Sequence, residues 1–146
     1  KNLKLFVTPT VQVYNVLNLI EILYYVENYR NKFEKNIEVD FLFLHYPEFL
    51  DITILNEKIK QICYDNLNEY KIKFNETYNT TFFTRDSIDG LMNLLKSERH
   101  KKYKFLVPEF FRYTNSLDEK RNEKFIDVFP ELKTLLCEEF KNISFI

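Results

Sequence analysis

His45 closes an apolar run, Ile37 to His45 (IEVDFLFLH), and opens into Tyr46-Pro47-Glu48. Histidine changes charge near neutral pH, so at the end of a strand it suits a general base or a hydrogen-bond partner for a cofactor. A ring tied to a loop carbonyl is the structural alternative. Glu48 and Asp51, three residues apart, offer two carboxylates for acid–base work, a spacing common in loops. A second set precedes them. Between Leu3 and Tyr14 (LKLFVTPTVQVY), Thr8, Thr10, Gln12 and Tyr14 alternate with Val7, Val11 and Val13. A barrel interior serving only as core prefers Val, Ile and Leu. Hydroxyls and an amide there point to a bound polar ligand, while an edge strand with its polar face in water gives the same pattern.

The elements that must position these groups follow from periodicity. Leu3 to Tyr14 reads as a strand, with Pro9 lacking the amide donor a regular ladder needs. A helix is expected at about Asn15 to Lys35, with Leu19, Ile22, Leu23, Val26 and Phe33 on its apolar stripe. Ile37 to His45 reads as a second strand, and its nearly continuous apolar end suits a parallel strand buried on both faces. Asn56 caps a helix carrying Ile59, Ile62, Cys63, Leu67, Tyr70 and Phe74. Strand, helix, strand, helix is the βαβα pattern of parallel sheets. Asn75 to Thr84 reads as a loop, after which Asp86 or Ser87 caps a helix with Ile88, Leu91, Met92 and Leu95 inward. Pro108 and Pro130 suggest first helical positions, with helices at about Pro108 to Lys120 and Pro130 to Phe140. The division is thus a βαβα unit at 1–74 and a helical C-terminal extension at 75–146. Two parallel strands make a poor sheet, so partner strands from other sequence are expected.

Composition narrows the function. The chain has 146 residues, 15 Phe and 10 Tyr without Trp, and a net charge of −1. Such a charge gives no field for nucleic acid or an acidic membrane surface, and Lys96 to Lys104 reads as a solvated helix end. No apolar run has the length of a membrane span. Cys63 and Cys137 lack metal-ligand spacing and read as buried free thiols in a reducing cytoplasm. A phosphate-binding glycine loop, a Gly-x-Ser-x-Gly elbow and a His-Glu-x-x-His helix are all missing.

Several stretches together resemble the C-terminal half of radical S-adenosylmethionine (radical SAM) enzymes, most closely the twitch-domain type of phage and environmental genomes. Thr10-Val11-Gln12-Val13-Tyr14-Asn15-Val16 resembles the fifth barrel strand and its exit into a helix. His45-Tyr46-Pro47-Glu48-Phe49-Leu50-Asp51-Ile52, on to Leu55 and Lys58, resembles the loop after the sixth strand. Leu117-Asp118, Arg121-Asn122 and Phe125-Ile126-Asp127-Val128-Phe129-Pro130-Glu131-Leu132 resemble the closing helices.

The resemblance implies an α/β fold: the C-terminal strands and helices of a (β/α)6 partial TIM barrel, followed by a helical tail. It implies S-adenosylmethionine and a [4Fe–4S] cluster as cofactors of the intact enzyme. Thr10, Gln12 and His45 would be cofactor-binding, and Tyr14, Asn15 and Tyr46 would stand on the substrate side. The cluster motif C-x-x-x-C-x-x-C is missing from the sequence, so the chain is not catalytic alone. Its expected partner is the upstream half of the same polypeptide, or another chain completing the sheet. Two alternatives remain: a stand-alone helix-rich protein-interaction module without activity, and a small-molecule-binding α/β domain completed by oligomerisation.

Overall fold

The computed structural model describes residues 4–75 and 82–139. Its strands are two extended runs, each split in half. β1 (Leu5–Val7) and β2 (Thr10–Val11) form the first run; β3 (Ile37–Val39) and β4 (Leu42–Phe43) form the second. β1 pairs with β3 and β2 with β4, both parallel and in one common register. Through the gap, the Asp40 amide reaches the Val7 carbonyl and the Leu42 amide the Pro9 carbonyl, each at 3.0 Å. Only a donor from Pro9 is missing, because proline has no amide hydrogen. The irregularity expected at Pro9 is therefore observed.

Beyond β1, whose Leu5, Phe6 and Val7 are all exposed, the two faces of this strand pair differ. Val11, Val13, Val39 and Phe41 are buried under the helices, whereas Thr8, Asp40 and Leu42 are exposed. Leu42 keeps 57 % of its surface accessible. This corrects the expectation that the second strand is buried on both faces.

Six helices follow among the described residues. A 3-10 turn at Val16–Asn18 leads into α1 (Leu19–Phe33), shorter than the expected Asn15–Lys35. Leu19, Leu23 and Val26 are buried as the stripe requires, but Phe33 is 48 % exposed. It belongs instead to an outward ladder with Tyr29 and Tyr25, at centroid spacings of 5.3 and 4.8 Å. α2 (Glu57–Asn75) begins where expected, the Asn56 side-chain oxygen accepting the Ile59 amide at 2.9 Å. Ile59, Cys63, Leu67, Tyr70 and Phe74 form its buried face.

α3 (Phe82–Leu95) starts before the expected cap at Asp86 or Ser87; of the expected Asn75–Thr84 loop, residues 76–81 lie outside the described residues. The reason is chemical. Thr84 and Ser87, one turn apart, turn their hydroxyls to the outer edge of the second strand, where they accept the Val39 amide (3.0 Å) and the Phe41 amide. Arg30 on α1 donates to the Ile37 carbonyl on the same edge. Side chains thus take the place of a third strand there.

α4 (Tyr103–Arg121) begins five residues earlier than expected and carries Pro108 inside it. Leu106, Val107, Phe110 and Phe111 are buried around the proline, and this packing holds the helix through the lost backbone bond. A four-residue α5 (Phe125–Val128) was not anticipated, and α6 (Pro130–Glu139) begins at its proline as expected. Among the described residues no helix is long and apolar enough to cross a membrane. One hydrophobic cluster runs from Val11 through Leu136, joining strands and tail in a common core.

Candidate functional site

The C-terminal ends of parallel strands are where open sheets and barrels place their ligands. Here those ends are drawn together: the Val13 amide donates to the Leu50 carbonyl at 3.0 Å, pulling the loop after β4 against the exit of β2. Asn15 shapes that exit. Its side-chain oxygen accepts the Gln12 amide (3.0 Å) and its nitrogen donates to the Thr10 carbonyl (2.8 Å). Both ends of the Asn15 amide therefore bind backbone, and the residue holds the turn.

His45 and Asp51 form a second unit. The imidazole Nδ1 lies 2.7 Å from Asp51 Oδ2, while Asp51 Oδ1 accepts the Thr53 amide at 2.8 Å. The carboxylate is buried and the imidazole is 65 % exposed, so Asp51 anchors one nitrogen of a ring that is largely open to solvent. Glu48 binds Lys102 instead, at 3.3 Å, so the two loop carboxylates do not act as a pair. Tyr46, before a cis Pro47, is 84 % exposed.

Tyr14 joins the strand ends to the helical tail. Its ring packs on Phe110, Phe125 and Phe129 at centroid distances of 5.0, 5.7 and 6.2 Å, and its hydroxyl is 2.7 Å from Thr114 Oγ1. Burial pushes the phenol above its ordinary range, opposed by the hydrogen bond to Thr114. Beside it lies a half-open cleft of about 330 Å³. Gln12, Tyr14, Phe125 and Phe129 line it, with Asp118, Arg121, Glu123 and Lys124 around the rim. The structure thus brings Gln12 and Tyr14 together at one cleft, while His45 and Tyr46 do not line it. Asp118 and Arg121 enter the sequence reading only within the stretches that resemble closing helices, and none of the rim charges is placed at a site there. The signal available was Asp118 and Arg121, one turn apart beside Leu117.

A [4Fe–4S] cluster is held by cysteine thiolates, and the two cysteines do not fit that role. Cys63 is buried with Sγ 3.5 Å from the Val16 carbonyl, and burial pushes its thiol up to about 12. Burial also raises the Cys137 thiol. Among the described residues no group of three or more His, Cys, Asp or Glu side chains could hold a metal ion.

Comparison with protein-family models, curated proteins and solved structures finds no match to this chain.

Proposed function

We propose that this chain is the C-terminal part of a (β/α)6 partial barrel in a radical SAM enzyme, supplying two strands and part of the S-adenosylmethionine and substrate pocket. The observation carrying this reading is the asymmetry of the strand pair. Parallel sheets are ordinarily covered on both faces. Here Val11, Val13, Val39 and Phe41 lie under helices while Thr8, Asp40 and Leu42 stand open on the other face. β1 is exposed on both faces, Phe6 meets the Phe83 ring edge-on at 6.2 Å, and Glu38 is buried. One edge is closed by Arg30, Thr84 and Ser87, and among the described residues no backbone hydrogen bond pairs the other edge, along Phe6 and Thr8. Strands added beside β1 would pair that edge and enclose the open face as a lumen lined by Thr8 and Thr10.

In that lumen the bound cofactors would supply radical chemistry by reductive cleavage of S-adenosylmethionine at a cluster held by upstream residues. This chain's residues bind, orient and exclude water. Thr10, Gln12 and His45 are the cofactor-side contacts; Tyr14 and Tyr46 stand on the substrate side, with Asn15 fixing the turn that presents them. A reducing cytoplasm suits such a protein. The test is anaerobic reconstitution of the natural polypeptide with iron and sulfide, then reduction in the presence of S-adenosylmethionine. A brown protein that releases 5′-deoxyadenosine supports the reading; a colourless, inactive one overturns it.

The outward ladder Tyr25–Tyr29–Phe33 favours a second reading, a helix-rich interaction module. Exposed contiguous aromatics mark contact surfaces. That reading requires a natural polypeptide with no affinity for S-adenosylmethionine.

A further inference from the structure

The cleft beside Tyr14 is lined by charges of both signs. Some surface charges are paired across or along the helices: Lys58 with Glu138, Lys71 with Asp89, Arg112 with Glu109. At the cleft, Asp118, Arg121, Glu123 and Lys124 place two charges of each sign within seven residues. Among the described residues none of the four forms an ion pair. Asp118 Oδ2 accepts the Phe125 amide at 2.8 Å, which opens α5 and fixes the carboxylate at the mouth.

The floor adds direction. Thr114 has one hydroxyl proton and donates it to the Phe110 carbonyl at 2.8 Å. The Tyr14 hydroxyl must therefore donate to Thr114, which leaves the phenolic oxygen as an acceptor only. The rings of Tyr14, Phe125 and Phe129 supply an apolar base, and about 330 Å³ is at the small end of the range for small-molecule sites.

We infer that this cleft binds a small zwitterion with an apolar body, the chemistry of an apolar α-amino acid. The ligand carboxylate meets Arg121 or Lys124, whose guanidinium and ammonium suit it. Its ammonium meets Asp118 or Glu123 and the Tyr14 acceptor, and its side chain lies on the aromatic floor. Charges of both signs on the rim distinguish this ligand from a simple anion or a neutral hydrophobe. The binding chemistry stands apart from the barrel reading, and only a role for the ligand as substrate rests on that reading.

The test is a titration of the 146-residue chain, followed by heteronuclear NMR, with L-phenylalanine, L-leucine, N-acetyl-L-phenylalanine and L-phenylalaninamide. The free amino acids are expected to give saturable shifts centred on Tyr14 and Phe125. Each blocked derivative binds roughly tenfold more weakly, the loss of one charge-assisted contact. The exposed changes Arg121→Gln and Lys124→Gln, made together, weaken L-phenylalanine but leave L-phenylalaninamide, which lacks the carboxylate, unchanged, and an undiminished affinity for L-phenylalanine overturns the inference. No saturable shift with either amino acid, or equal affinity for the blocked derivatives, overturns the inference. Cluster reconstitution is a separate measurement, so the two readings fail independently.

Discussion

Thr84 is the side chain on which the sheet edge most depends. Its hydroxyl accepts the Val39 amide and an Arg30 guanidinium nitrogen (3.1 Å), and donates to Glu38 at 3.1 Å, all in a buried setting. Thr84→Val keeps the shape but strands a buried amide, and is expected to cost about 2–3 kcal/mol in denaturant unfolding. Thr84→Ser keeps the hydroxyl and is expected to cost about 1 kcal/mol for the lost methyl. Equal costs for both would show that packing, not the hydrogen bonds, holds the edge. Cys63 gives a pH signature. Its thiol is pushed from 9.0 to about 12 by burial, so the folded state holds the proton more tightly than the unfolded state. Stability from this group is complete below the unfolded value of 9.0 and declines as pH rises toward about 12. Replacing Cys63 by Ala should flatten that alkaline decline in stability measured against pH, whatever its own packing cost.

At the scale of elements, the helices test local physics. Gly90 lies inside α3, and a β-carbon there would sit 3.7 Å from the Phe43 ring, an ordinary contact. Gly90→Ala is therefore expected to stabilise the fold by about 1 kcal/mol, read as a higher thermal midpoint. Asn56→Ala removes the cap of α2 and is expected to cost about 1 kcal/mol. α2 and the start of α6 were legible in the sequence because cap, proline and apolar spacing agree there. The start of α3 was not. Thr84 reads as the end of a loop and Asp86 or Ser87 as a cap, but the Thr84 and Ser87 hydroxyls serve a strand 45 and 46 residues away. α4 was misjudged for a related reason: Pro108 signals a first turn, yet buried side chains on both sides of it extend the helix. The Phe-Leu-Phe-Leu run of the second strand reads as buried on two faces, but Leu42 is exposed, and periodicity within the run alone does not reveal which face is covered.

For the whole molecule, the pair of parallel strands, the polar face of the first, and Gln12 with Tyr14 at its exit were legible from period-two alternation. The charged rim and Thr114 come from α4 and the turn after it, about 100 residues from Tyr14, and only tertiary packing brings them there. Completion of a larger sheet beside β1 is the central claim, and amide hydrogen exchange tests it most directly. In the isolated chain, the Phe6 and Thr8 amides point away from β3 and should exchange fast, while those of Val39 and Phe41, bonded to Thr84 and Ser87, should be slow. In the natural polypeptide all four should be slow, because an added strand pairs with Phe6 and Thr8. Fast exchange at Phe6 and Thr8 in that polypeptide would contradict the claim.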